Sequence, residues 1–157
     1  AAGRRGRAGV THGLPPSREA SARLVRHQGA MCLLERVESC NAEGIVCTSA
    51  THRLVDNPLR RDGMLPAACG LEYALQAMGL HGALTAGGVG KAPGCLSALR
   101  GVRMAAERLD DVADPLLVTA EALVAESRGF IYRFAVAAAG RVLLSGQATI
   151  VIPETQA

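Results

Sequence analysis

Apolar and polar residues fall along this chain as two short extended runs, one long apolar helix, and a second set of extended runs. Residues 31–40 and 44–53 read as strands joined by Asn41-Ala-Glu-Gly44, an Asn-to-Gly connection that signals a hairpin. Residues 54–65 carry the turn chemistry of a loop in Asp56-Asn57-Pro58 and Arg61-Asp62-Gly63. From Pro66 to Leu84 the pattern becomes a helix with apolar residues on every side, interrupted by Glu72 and, one turn later, Gln76. Pro66 suits the first helical position, where its missing N–H has no intrahelical partner to lose. The helix gives way at Gly87-Gly88. Further extended segments are expected at 95–107, 115–126, 130–138 and 141–152, the last two turned at Ala139-Gly140. Phe130, Tyr132 and Phe134 alternate and should share one face of a strand. The alanine-rich run 115–126 has helical propensity, but the turn residues around it and its place among strands favour a sheet.

Two strands, one helix and four strands define an α+β chain. A helix hydrophobic all round must be surrounded, so the expected fold is one long central helix wrapped by a curved antiparallel sheet. Such a sheet has edges, and pairing them across a two-fold axis covers them, which predicts a homodimer or higher assembly. A carboxyl group on the enclosed helix would be desolvated, favouring the neutral form that can donate a proton. Glu72 is therefore the leading candidate for chemistry.

Charge changes this picture little. The net charge of +3 is accounted for by Arg4, Arg5, Arg7 and Arg18 against Glu19, and the rest of the chain is balanced. Nucleic-acid binding would rest on that tail alone and is not expected. Residues 1–20 read as a disordered basic leader without the apolar core of a secretory signal, and residues 21–157 as a single domain. No apolar run is long enough for a membrane span. Cys32, Cys40, Cys47, Cys69 and Cys95 are odd in number and lack C-x-x-C spacing, so neither disulfides nor a zinc site is expected, and a reduced, cytoplasmic protein follows. Cys69, just inside the helix, reads as a small buried hydrophobe before it reads as a reactive thiol. Gly87-Gly-Val-Gly90 follows a helix and lacks the Lys-Ser/Thr ending of a phosphate loop.

Three segments carry a family likeness. His27-Gln-Gly-Ala-Met-Cys-Leu-Leu-Glu-Arg-Val37, Asp56-Asn-Pro58 and Pro66-x-x-x-Gly-x-Glu-x-x-x-Gln76 together resemble the hot-dog fold 3-hydroxyacyl-[acyl-carrier-protein] dehydratases. The sequence departs from that family at one place. Its members set a catalytic histidine in a Gly-His-Phe-Pro-Gly loop before the helix, whereas the interval from Pro58 to Pro66 reads Leu-Arg-Arg-Asp-Gly-Met-Leu. The chain thus resembles a divergent branch lacking the usual loop histidine, of a kind associated with fatty-acid or aryl-polyene biosynthesis.

The resemblance implies elimination of water from a 3-hydroxyacyl thioester, with the acyl group carried on the phosphopantetheine of acyl carrier protein or on coenzyme A, and no further cofactor or metal. Glu72 would hold the carboxyl role. His27, before the first strand, and His52, at the end of the second, are the two candidates for the missing proton-transfer partner. His81 lies nine residues beyond Glu72, about half a revolution round the helix, and is set aside. Amides near Ala67 and Ala68 at the positive end of the helix could polarise the thioester carbonyl. Gln76 would orient Glu72 or bind water, and Arg60 and Arg61 would meet a phosphate or an acidic carrier surface. Two alternatives stand beside this reading: an acyl-thioester hydrolase in which Glu72 activates water, and a non-catalytic partner subunit of a paralogous dehydratase. Fold alone does not choose among them.

Overall fold

In the computed structural model, residues 31–85 and 94–154 are described. Six strands form one antiparallel sheet: β1 (Arg36–Asn41), β2 (Gly44–Ser49), β3 (Cys95–Met104), β4 (Leu116–Glu126), β5 (Gly129–Ala138) and β6 (Arg141–Val151), in the spatial order β1-β2-β4-β5-β6-β3. Helix α1 (Gly70–Thr85) packs on β1, β2, β4 and β5. The β5–β6 turn forms at Ala139 and Gly140, both at positive φ, the twist that suits a two-residue hairpin. The alanine-rich run is a strand: Leu116, Val118 and Ala120 point inward at alternate positions, and burial in the sheet outweighs helical propensity.

The core lies between one face of the sheet and one face of the helix. Tyr73, Ala74, Ala77 and Leu80 of α1 meet a layer that includes Cys47, Val118, Phe134, Val136, Leu144 and Ala148. Full burial of a leucine or phenylalanine side chain there contributes about 1.5–3 kcal/mol. Phe130, Tyr132 and Phe134 do share a face, and the Phe130 and Tyr132 rings stack with centroids 5.7 Å apart. Gly70 lets the helix start close to the sheet, since a Cβ there would come within 3.0 Å of Leu144 Cδ2.

Two expectations are corrected. The second strand stops at Ser49, and Thr51–Arg53 turns as a 3₁₀ helix. Among the described residues the helix is not enclosed on every side. Ala68 and Gly79 are exposed, and Leu71, Glu72 and Leu75 are half-buried, so a stripe along α1 stays open. The sheet covers only the opposite side, where Tyr73, Ala74, Ala77, Leu80 and His81 are buried. The Gly87-Gly88 break and the leader lie outside the described residues.

Candidate active site

The start of α1 is built by a seam between two distant segments. Leu109 N–H donates to Leu65 O (2.8 Å), Ala67 N–H donates to Glu107 O (2.9 Å), and Pro66 bridges to Arg108. The Asp110 carboxylate accepts from Leu65 N–H (2.8 Å) and from Arg108 Nε (3.1 Å). That bond to the Arg108 guanidinium, helped by the backbone N–H, holds the Asp110 carboxyl well below the usual carboxylate range. The seam corrects one expectation, because the Ala67 amide is committed to Glu107 and is not free for a ligand. Ala68 is the exposed residue of the 3₁₀ turn Ala67–Cys69, and its N–H makes no hydrogen bond among the described residues.

Glu72 sits in the first turn of α1, on the open stripe beside Ala68. It is half-buried, not sealed, because the sheet covers the other side of the helix. Cys69 lies within electrostatic reach of both Glu72 and Arg61. Burial pushes its thiol up, Arg61 pulls it down and Glu72 raises it, and the net rise leaves a thiol and not a reactive thiolate.

Neither described histidine turns toward Glu72. His52 is fully buried in the Thr51–Arg53 turn, where its Nε2 lies 2.9 Å from Val112 O and donates to it, while Nδ1 makes no hydrogen bond among the described residues. Burial lowers its pKa, the Val112 carbonyl opposes that shift, and the side-chain charges acting on it belong to Arg53 and Glu35. His81 is buried on the opposite side of α1, as the helical wheel required. Its Nε2 donates to Asn41 O (2.8 Å) and its Nδ1 accepts from the Tyr132 hydroxyl (2.7 Å), which fixes the neutral tautomer. His27 lies outside the described residues.

Gln76 is buried, and its amide is engaged by the segment before β1. Its Oε1 accepts from Leu33 N–H (2.9 Å) and its Nε2 donates to Met31 O (2.6 Å), so it braces the segment leading into β1. Arg60 closes the 53–63 loop on itself, donating to Leu54 O (2.8 Å), Gly63 O (2.9 Å) and Arg53 O (3.1 Å). Arg61 is exposed and bonds to Arg60 O (2.9 Å). Of the expected ligand-binding groups, Ala68 and Arg61 therefore remain open to solvent near Glu72.

The sequence reading missed a buried polar network beside this site. The Tyr73 hydroxyl bonds to Thr51 Oγ1 (2.8 Å) and accepts from Asn57 Nδ2 (3.1 Å). Thr51 and Ser49 both donate to Leu33 O, and Asn57 Nδ2 also reaches Thr51 O (3.0 Å). The network ties the 49–57 loop to the residue next to Glu72. A signal was present: a tyrosine in an otherwise apolar buried helix requires a polar partner. Among the described residues no group of three or more His, Cys, Asp or Glu side chains could hold a metal ion, and no helix is long and apolar enough to cross a membrane.

One long helix on a six-stranded antiparallel sheet of this order is the hot-dog fold. Its structural relatives include the dehydratase heterocomplex ApeI:P from Xenorhabdus doucetiae, with a TM-score of 0.75, 22% identity, and coverage of 86% of this chain and 91% of that one. Zebrafish thioesterase superfamily member 2 matches with a TM-score of 0.63 at 14% identity, covering 87% and 93%. A hypothetical thioesterase with coenzyme A from Streptococcus pneumoniae TIGR4 matches at 0.55 and 14%, covering 78% and 88%. At these identities the likeness is one of fold. The sequence itself is more specific: residues 19–157 match the family model for ApeP dehydratase, and the chain belongs to the ApeP-like dehydratase family. No curated protein matches it.

Proposed function

We propose that this chain takes part in the dehydration of 3-hydroxyacyl thioesters, carried on acyl carrier protein or coenzyme A, as one subunit of a two-subunit dehydratase. The observation that carries the reading is the position of Glu72. It stands on the open stripe of α1, beside the exposed Ala68, while both described histidines are engaged elsewhere.

In the reaction a base removes the α proton, the C–H electrons form the α,β double bond, and the β C–O bond breaks. The departing hydroxyl takes a proton from the Glu72 carboxyl and leaves as water. The Ala68 N–H, at the positive end of the helix, donates to the thioester oxygen as enolate charge develops. Arg61 is the exposed cation available to a phosphate or a carrier surface. The α-proton base is His27 or a histidine of a paralogous partner, since His52 and His81 are turned away. Membership of a dehydratase family supports this assignment, and so does a structural relative that is a dehydratase heterocomplex. A reduced cytoplasmic setting belongs to the same reading, with the cysteines unpaired.

The test is to incubate the chain, alone and with a paralogous hot-dog dehydratase, with 3-hydroxyacyl thioesters and follow products by mass spectrometry. Enoyl thioester that disappears with Glu72→Gln is expected. Free acid would assign a hydrolase instead, and turnover unchanged by Glu72→Gln would remove Glu72 from the chemistry.

A further inference from the structure

The 105–115 loop between β3 and β4 ties together the two segments that flank the candidate site. β3 bends at a bulge around Gly101 (φ +58), which sets Arg100 opposite Gln147 and Arg103 opposite Ser145. The chain then passes the start of α1, where Leu109 is fully buried beside Gly70. On one side the loop receives the turn after β2: His52 Nε2 donates to Val112 O (2.9 Å) and Arg53 Nη1 donates to Ala113 O (3.1 Å). On the other it pairs with residues 65–67, through Leu109 N–H to Leu65 O and Ala67 N–H to Glu107 O.

Asp110 closes this seam. Its side chain is 6% exposed. One carboxylate oxygen accepts from Leu65 N–H at 2.8 Å and from Arg108 Nε at 3.1 Å, and the other accepts from Arg108 Nη2. A neutral acceptor would satisfy the buried Leu65 N–H just as well. The carboxylate adds direction, because a group gripped on both oxygens by one guanidinium cannot turn and holds the Leu65 amide in a single orientation. Pro66 carries that orientation forward, since its ring fixes φ, here −58. Ala67 is pinned to Glu107, and the next N–H along the chain is that of the exposed Ala68.

We infer that Asp110, clamped by Arg108, is a positioning residue that aims the Ala68 N–H at the thioester oxygen without touching the substrate. The inference rests on the acyl-thioester reading above and extends its machinery to a loop forty residues from the helix start. Displacing such a donor by about 1 Å costs up to about a hundredfold in rate.

Two readouts separate aiming from simple stabilisation. The first is the infrared carbonyl stretch of a saturated acyl thioester of coenzyme A, isotopically labelled at the carbonyl and lacking the hydroxyl to eliminate. Binding to the parent chain should lower the stretch. Asp110→Asn should lose about half of that lowering or more, because its amide nitrogen meets Arg108 with like polarity and the clamp opens. The second readout is kcat for enoyl formation, which should fall roughly tenfold or more with KM within about threefold, at a temperature where circular dichroism shows the variant folded. Arg108→Gln keeps the Leu65 bond and frees one carboxylate oxygen, so it should move both readouts the same way by less, and it replaces Asp110→Asn if that variant does not fold. A lowered Tm with an unchanged stretch and an unchanged kcat per folded chain would make Asp110 structural only and overturn the inference. A parent chain that fails to bind the thioester, or binds it without lowering the stretch, overturns it too. A parent that polarises the carbonyl through Asp110 yet forms no enoyl product rejects the dehydratase reading and leaves this inference standing.

Discussion

Replacing Gln76 by leucine separates a brace from a substrate ligand. The side chain is 2% exposed and holds two backbone groups of the segment before β1, Leu33 N–H at 2.9 Å and Met31 O at 2.6 Å. Leu33 has no exposure, so its N–H would be left buried and unpaired at a cost of about 1–3 kcal/mol. The half-buried Met31 carbonyl adds about 0.5–1.5 kcal/mol, and the apolar burial of the new leucine offsets part of the sum. A net loss of about 2 kcal/mol corresponds to roughly 4–8 °C in Tm for a chain of this size. Thermal unfolding followed by circular dichroism measures it. Gln76→Glu sharpens the test, because a carboxylate can accept from Leu33 N–H but meets the Met31 carbonyl with like polarity. That variant must take up a proton to fit, so its deficit should be larger at neutral pH than at pH values near the free carboxyl pKa, about 4.3. If Gln76→Leu unfolds within 2 °C of the parent, or about 0.5 kcal/mol, while enoyl formation collapses, the brace is wrong and Gln76 acts on Glu72 or the substrate.

Two further outcomes follow from groups whose environments are equally specific. His52 and His81 are both buried and both have lowered pKa values, so the unfolded chain binds their protons first. Their contribution to stability is complete above about pH 6.5 and is lost as pH falls below it, by up to about 1.4 kcal/mol per histidine per pH unit. Urea midpoints measured from pH 8 to pH 5.5 should fall accordingly, and a flat profile would show that the rings are not held neutral. Gly101→Ala puts a side chain at φ +58 with open space around it, so the loss, about 1–2 kcal/mol, is conformational, and an Ala variant as stable as the parent would rule out the bulge.

The order of elements was legible because alternation and turn chemistry are local. Gly140 marks its hairpin because it takes positive φ without a Cβ clash, and Phe130, Tyr132 and Phe134 declare a face by spacing alone. The site was less legible because its geometry depends on pairings across the chain. Nothing in Ala67 reveals that its N–H meets Glu107, and nothing in His52 reveals a carbonyl sixty residues away at Val112. The bulge at Gly101 was missed for a related reason. A lone glycine in a strand marks either a weak point or a bulge, and only the register with β6 shows which.

The misjudged helix is the more instructive case. Apolar residues on every side of α1 imply burial on every side, yet the chain's own sheet covers only the face that holds Tyr73, Ala74, Ala77 and His81. The stripe of Leu71, Leu75 and Gly79 is as apolar as the buried face and is left partly open, and Glu72 stands within it. Hydrophobic patterning therefore reports more enclosure than the described residues supply. A carboxyl group on such a stripe is half-buried by the chain itself and becomes more enclosed once a partner or an acyl chain covers it. Under the proposed role of Glu72, turnover should then depend on assembly: the chain mixed with its partner should form enoyl thioester faster than the chain alone, and Glu72→Gln should abolish that gain. A rate that is the same with and without the partner would mean that covering the open stripe does not act on Glu72.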